Sequence, residues 1–234
     1  MAATDKVTEG SREPSPWRAQ GFGRKNVKSI KDPIIEPLWQ GDRRLARITV
    51  GGLELFDELG QPVEPRGTDE PTVFEALVRA ALADEVVLDG YLTRQAIPDK
   101  MPDYRLSSPI PSAGEMASQM FVGRSRKSRA MQQIDAKEKA RPLGRLAFVA
   151  IDILSLDGQV LFDIPQLERK RLLESALAEG DIVRRSAFVR LPIDPWLASW
   201  RAVGFSRIAF KAANSRYQPG AASDDWAIVQ IPAT

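Results

Sequence analysis

The sequence predicts an α+β domain, in which short strands and amphipathic helices share one core. Three stretches carry that reading. Leu45 to Leu55 alternates apolar and polar residues around Gly51-Gly52, the pattern of a β-hairpin. Phe74, Leu77, Val78, Ala81 and Leu82 fall at helical spacing and give one apolar face, with Pro71 near its start. Ala147 to Leu154 is apolar on both faces except for Asp152, as a strand buried on both sides is.

The other elements follow in chain order. Residues 1–30 are polar and contain Pro14, Pro16, Gly21 and Gly23, so they read as a flexible basic tail in which Trp17 and Phe22 are candidate docking residues. The domain then occupies 31–234. Glu85 to Leu88 is a short buried strand, and Asp89-Gly90 reads as turn chemistry. Residues 94–120 hold prolines at 98, 102, 109 and 111 and read as an insertion or long loop. Asp157-Gly158 makes a turn. Asp163 suits a helix N-cap, with Pro165 in the first turn, apolar positions at Leu167, Leu172, Leu173, Ala176 and Leu177, and Gly180 beyond the end. Val183 to Leu191 reads as a strand, and Asp194-Pro195 opens a helix that Gly204 closes. Residues 207–211 and 226–231 are the last strands, with Trp196, Trp200 and Trp226 in the core.

Composition narrows the chemistry. A chain of 234 residues with 43% hydrophobic content can bury a full core and fits one domain plus tails. It has no cysteine and no histidine, which removes disulfides, thiolate and imidazole metal ligation, and Ser-His or Cys-His nucleophilic sites. No metal site is expected. The amino terminus lacks the apolar core of a signal peptide and no apolar run reaches membrane-spanning length, so the expectation is a cytoplasmic protein without membrane contact. Neither a Walker loop nor Gly-x-Gly-x-x-Gly occurs.

Net charge is only +2, but it is unevenly placed. Residues 12–31 carry Arg12, Arg18, Arg24, Lys25, Lys28 and Lys31 against Glu13 alone. Residues 124–145 carry Arg124, Arg126, Lys127, Arg129, Lys137, Lys139, Arg141 and Arg145 against Asp135 and Glu138. Between them, 54–89 is acidic. Such asymmetry suits either a solvated surface or a DNA, RNA or acidic protein partner. Arg24, Lys25, Lys28, Lys31, Arg124, Arg126, Lys127 and Arg129 are the candidate nucleic-acid contacts. No aromatic residues interleave the second run as base stacking would need.

Several ordered motifs point to one family. Ile34 to Arg43, with Glu36-Pro37-Leu38-Trp39-Gln40-Gly41-Asp42-Arg43, resembles Glu-Pro-Lys-x-Asp-Gly-x-Arg. Leu88-Asp89-Gly90-Tyr91 resembles Leu-Asp-Gly-Glu. Phe148 to Gly158 resembles Phe-Val-x-Phe-Asp-Leu-Leu-x-Leu-Asp-Gly, and Leu167-Glu168-Arg169 with Leu172-Leu173 resembles the helix after it. Gly204 to Lys211 sits where Gly-x-Glu-Gly-Val-Val-x-Lys is expected, and Ser215, Tyr217, Pro219, Gly220 and Trp226 match Ser-x-Tyr-x-Pro-Gly…Trp-x-Lys-x-Lys. Together these resemble the adenylation (nucleotidyltransferase) domain of ATP-dependent DNA ligases, from about residue 34 to 231. The resemblance implies two antiparallel-rich sheets with flanking helices. Because the chain stops just after the last motif, it also implies no counterpart of the oligonucleotide-binding barrel that full ligases append.

The departures fall on the chemistry. At the position of the nucleophilic lysine stands Leu38, which has no lone pair to offer a phosphorus atom. The motif's carboxylate is Gln40, and the arginine that contacts nucleotide is Glu58. The ribose-contacting glutamate is Tyr91, the adenine-stacking aromatic is Ile151, the metal-side glutamate is Ser206, and the two final lysines are Ile228 and Gln230. Arg43, Asp152 and Lys211 keep their residue type. Arg43 reads as paired with a nearby carboxylate. Asp152 reads equally as a vestigial pocket residue or as an aspartate capped by backbone donors; Lys211 reads as phosphate-facing or as snorkelling from a strand edge. The implied function is a ligase-like domain that has lost its nucleophile and nucleotide contacts, a pseudoenzyme without cofactor that acts as a binding or structural component of a larger assembly. The alternative is a ligase-family enzyme or nucleic-acid-binding repair protein with a non-standard site. Leu38, Tyr91, Ile151, Phe210 and Ile228 are expected to close the former pocket as an apolar plug.

Overall fold

The computed structural model describes residues 16–23, 27–95 and 144–231. Arg24, Lys25, Arg124, Arg126, Lys127 and Arg129, and the 94–120 insertion from residue 96 onward, lie outside the described residues. The described elements are β1 (Gly21–Phe22), a single 3-10 turn (Val27–Ser29), β2 (Pro33–Pro37), β3 (Asp42–Thr49), β4 (Gly52–Phe56), α1 (Asp69–Ala80), β5 (Glu85–Thr93), β6 (Ala147–Leu156), β7 (Gln159–Val160), α2 (Gln166–Ala176), β8 (Val183–Arg185), α3 (Asp194–Ala202), β9 (Arg207–Ala212), β10 (Ala222–Ser223) and β11 (Trp226–Gln230).

Two sheets dominate. The larger runs β4-β3-β5-β6-β7, with β8 on β6, and the smaller runs β11-β9-β2. Every ladder in them is antiparallel except β6 with β8. The class is therefore α+β with two antiparallel-rich sheets. Helices α1 and α2 cover one side of the large sheet, where Val73, Phe74, Leu77, Leu173 and Ala176 pack on Ala46, Ile48, Val86, Leu88, Phe148, Ala150 and Ile153. Trp200 of α3 packs with Ile35, Ile208 and Phe210 of the small sheet and with Val149 and Ile151 of β6. Leu45, Val87 and Leu154 of the large sheet meet Trp226 of the small one, beside Tyr217.

Local sequence explains most of these elements. The β6–β7 hairpin turns on Asp157-Gly158, both at positive φ (47° and 78°), as a two-residue turn matching the strand twist requires. Asp89-Gly90 differs: it is not a turn but lies inside β5, which extends to Thr93. A Cβ on Gly90 would sit 2.5 Å from Phe148 Cζ and 2.7 Å from the Val149 carbonyl oxygen, so the glycine is there to let β6 approach. The β5–β6 register also slips twice. Gly90 pairs Ala150 whereas Asp89 pairs Asp152, so one extra β6 residue is accommodated at Ile151. Strict alternation would put Ile151 and Ile153 on the same face. The bulge instead leaves Ile151 in the α3-side cluster and Ile153 in the helix-side cluster.

Three other expectations are corrected. The flexible tail of 1–30 does not extend through 16–23 and 27–30: β1 pairs β10, Ala19 N donates to Glu58 O at 3.0 Å, Phe22 lies against Trp226, and Ile30 is buried. Asp163 is not the N-cap of α2. Pro165 holds that position, and Asp163 pairs with Arg216 on the surface instead. The strand expected over Val183–Leu191 ends at Arg185, because the chain then leaves β6 for the small sheet. There Val189 and Ile35 exchange two backbone hydrogen bonds of 2.9 Å.

Replacing Gly90 by alanine is expected to destabilise the domain by about 1–3 kcal/mol through overpacking against Phe148. The check is the urea midpoint at unchanged slope; a variant as stable as the parent would refute the close-approach account.

Candidate functional site

The space where the two sheets face each other is held by ions. From β3, the Arg43 guanidinium grips Asp89 of β5 through two hydrogen bonds (Nε–Oδ1 2.9 Å, Nη2–Oδ2 2.6 Å) and donates a third from Nη1 to the Gln20 carbonyl at 2.7 Å. The Tyr217 hydroxyl donates to Asp89 Oδ2 at 2.9 Å and accepts from Gln20 N at 2.9 Å. One strand along, the Asp152 carboxylate receives Arg169 of α2 through Nε and Nη2, both at 2.9 Å, and the Ile153 amide at 2.9 Å. Asp89, Asp152 and Arg169 are fully buried and Arg43 nearly so. Such forked pairs are the strong form of charge-assisted bond.

A third group is less well matched. Glu36 of β2 is approached at the same oxygen, Oε1, by Lys170 Nζ of α2 at 2.8 Å and by Lys211 Nζ of β9 at 3.4 Å. All three side chains are buried, and neither ammonium makes an aligned hydrogen bond. Lys211 also lies over the Trp226 ring, 4.2 Å from its centroid.

The titration behaviour follows from burial opposed by partners. Burial pulls the Arg43 pKa down, but attraction and hydrogen bonds from Asp89 outweigh it and the guanidinium is held more firmly protonated than usual. For Asp152, burial pushes up and the Arg169 charge and hydrogen bonds win, so it sits below the ordinary carboxylate value. Lys211 goes the other way. Desolvation lowers it, Lys170 adds repulsion, and Glu36, Asp152 and Asp89 offset only part. Burial raises the Tyr91 and Tyr217 phenols, the latter further because Asp89 is beside it.

No protein-family model matches the chain. Over 198 residues it is 28% identical to the multifunctional non-homologous end joining protein LigD of Mycolicibacterium smegmatis. The ligase domain of M. tuberculosis LigD superposes with a TM-score of 0.59 at 24% identity, over 92% of this chain and 59% of that one. The fold is that of an ATP-dependent DNA ligase adenylation domain. Mycobacterial DNA ligase D, in a structure complexed with ATP and MES, gives 0.57 at 23% identity over 90% and 58%. The match to the M. smegmatis protein takes in 84% of this chain but only 21% of that protein, so the chain spans about a fifth of that curated relative.

Onto the adenylation fold, the sequence-chosen positions fall as follows. Leu38 is buried just past β2, its amide donating to Arg207 O at 3.0 Å. Ile151 and Phe210 share one buried cluster with Tyr91 against it. Arg43, Asp152 and Lys211 meet in the ionic layer. Gln40, Glu58, Ser206 and Gln230 are exposed, as are Lys28 and Lys31. The apolar plug is therefore only partly assembled: Ile228 is 39% exposed, and ions fill the space that hydrocarbon was expected to fill. Asp152 accepts the Ile153 amide, as the capped-aspartate reading has it, and is also paired with Arg169. Lys211 does not snorkel, being 1% exposed.

The sequence reading has Glu36, Asp89, Arg169 and Tyr217 only as motif or turn residues, and does not single out Lys170 or Gln20. A signal existed for two of them. Gln166, Arg169, Lys170 and Leu173 recur at i, i+3, i+4 and i+7, so the buried face of α2 carries polar residues in its first half and apolar ones, Leu173 and Ala176, in its second. Apolar periodicity marks only the second half of that face.

Asp152→Asn alone is expected to cost about 3–5 kcal/mol, because it leaves the Arg169 charge buried without its partner. Asp152→Leu with Arg169→Met should recover much of that loss, as urea denaturation would show. Lys211 also makes stability depend on pH. Its folded pKa is lowered, so the unfolded chain binds more protons between that value and about 10.4, and stability rises with pH across the window. Above about 10 the raised Tyr217 reverses the slope, since the folded state then holds the extra proton. Lys211→Met should flatten the rising limb in denaturation at about pH 7 to 10.

Proposed function

We propose that this domain is a ligase-type adenylation fold without adenylation activity, serving as a binding component through its surface. The observation that carries the reading is the inversion of charge use at the family's positions. Leu38 stands where the nucleophilic lysine is expected, while Arg43, Arg169, Lys170 and Lys211 are all turned to internal carboxylates. A nucleotide triphosphate needs cations free to meet its phosphates and a lone pair in line with the α-phosphorus. Leu38 supplies none, Arg43 and Arg169 are closed in forked pairs with Asp89 and Asp152, and Lys170 and Lys211 are buried around Glu36. Tyr91 brings a phenol to the ribose-contacting position and Ile151 brings no π face to stack. These residues do not fit ATP.

The surface side of the proposal rests on Lys28 and Lys31, both exposed, and on the basic runs Arg24-Lys25 and Arg124 to Arg129 in the sequence. Their partner is the phosphate backbone of a nucleic acid, bound without sequence preference, as a fold similar to the ligase domain of LigD suggests. No helix among the described residues is long and apolar enough to cross a membrane.

Incubation with α-labelled ATP and magnesium, followed by a denaturing gel, should give no covalent band. ATP at millimolar concentration should leave the melting temperature unchanged, where a ligand at ~100 times its dissociation constant would add about 2.7 kcal/mol. A labelled protein band would end the inactive-domain reading. For the surface, anisotropy with duplex, nicked and single-stranded probes should show binding that weakens steeply between ~50 mM and ~200 mM salt, by about −0.9 in log–log slope per duplex phosphate neutralised. Lack of binding at the lower salt, or no effect of replacing Arg124, Arg126, Lys127 and Arg129 by alanine, would turn the proposal to an acidic protein partner.

A further inference from the structure

We infer that Lys170 and Lys211 form a binding site for a single small monovalent anion of the halide class. The inference is independent of whether the domain reacts with ATP. Its basis is a count of buried charge and of hydrogen-bond capacity in the layer between the sheets. The cations there are Arg43, Arg169, Lys170 and Lys211; the carboxylates are Glu36, Asp89 and Asp152. Arg44 is also buried but pairs outward with the exposed Asp42 at 3.0 Å. Arg43 with Asp89 and Arg169 with Asp152 are closed, forked pairs. The excess positive charge is thereby localised on the lysine pair that shares Glu36.

Donor capacity points to the same spot. Each ammonium has three N–H groups and no acceptor. Glu36 Oε1 is the carboxylate oxygen both approach, at 2.8 and 3.4 Å, and neither Nζ has an aligned hydrogen-bond partner. Gln166 precedes Lys170 by one helical turn. Its Oε1 accepts from Arg169 Nη2 at 2.8 Å, while its buried Nε2 is also without a partner. Three donors without an aligned acceptor thus come from one turn of α2 and from β9, and Glu36 Oε1, the one oxygen between the lysines, is likewise without an aligned donor, so a single oxygen faces six ammonium N–H groups. Buried donors in native proteins are nearly always satisfied. A monovalent anion supplies one negative charge and several acceptor directions at once. One such charge matches the single excess charge of two ammonium groups that share an oxygen and so lie within a few ångströms of each other. The competing resolution is loss of a proton from Lys211, which would remove the same charge with no ligand.

The two are separable by measurement on the whole chain. At constant ionic strength, with a bulky organic anion replacing chloride, the melting temperature should climb with chloride. Near saturation the rise should be about 3 to 5 °C per tenfold increase. Lys211→Met should abolish that dependence, and Glu36→Gln should shift it to lower chloride by removing the competing carboxylate. Should these variants fail to fold, crystals of the unaltered protein grown in bromide give the decisive reading. An anomalous peak within hydrogen-bond reach of both Nζ atoms is expected. Absence of that peak, a melting temperature indifferent to chloride, or an unchanged dependence in Lys211→Met would each overturn the site in favour of a neutral Lys211.

Discussion

Asp152 and Arg169 are both fully buried, and removing two such ions from water costs several kcal/mol apiece before their attraction returns anything. The forked geometry, the Ile153 amide and two backbone carbonyls for Arg169 Nη1 (Ile164 at 2.5 Å, Ser215 at 3.3 Å) make the burial tolerable. Those same contacts tie α2 to β6 and to the loop between β9 and β10. The pair therefore sets where the helix lies, and the helix in turn delivers Lys170 to Glu36 of the small sheet. Arg43 repeats the scheme one strand away, where Asp89 links β3 and β5 while Gln20 and Tyr217 bring in the N-terminal segment and the β9–β10 loop.

Between sheets that otherwise meet through Leu45, Val87, Leu154 and Trp226, this ionic layer is a choice that apolar residues could have replaced at equal or lower cost. What ions add is direction. An apolar side chain accepts many neighbours at similar energy, whereas a forked guanidinium accepts one carboxylate in one orientation. The layer also decides what the cleft can do. Arg43 and Arg169 are oriented inward and satisfied by protein carboxylates, whereas Lys170 and Lys211 share one oxygen of Glu36.

The bulge at Ile151 is the geometric device behind this arrangement. Without the extra residue, Asp152 would keep the helix-side phase of Phe148 and Ala150, among the hydrocarbon of α1 and α2. With it, Ile151 and Asp152 lie together against Asp89 and Tyr91, and Ile153 returns to the helix-side core. Gly90, on the facing strand, removes the side chain that would have obstructed Phe148.

By itself the sequence determined the α+β class, the Asp157-Gly158 hairpin, α1, α3 and the last two strands, because each rests on period or turn chemistry within a dozen residues. It also determined, through the order of its motifs, the adenylation fold, with Leu38 at the position where the resemblance expects a lysine. The tertiary structure alone decided that Asp89-Gly90 is strand and not turn, since the requirement for glycine comes from Phe148, 58 residues away in the chain. It decided that residues 16–23 belong to the domain, through partners at residues 43, 58, 217 and 222. And it decided the fate of the charges: Glu36, Lys170 and Lys211 come from three separate elements, and no local pattern encodes that they will share one dry space. Periodicity reports which face is buried when that face is apolar; here the buried face of α2 carries Gln166, Arg169 and Lys170 beside Leu173 and Ala176, and only Asp152 and Glu36 on other elements reveal why.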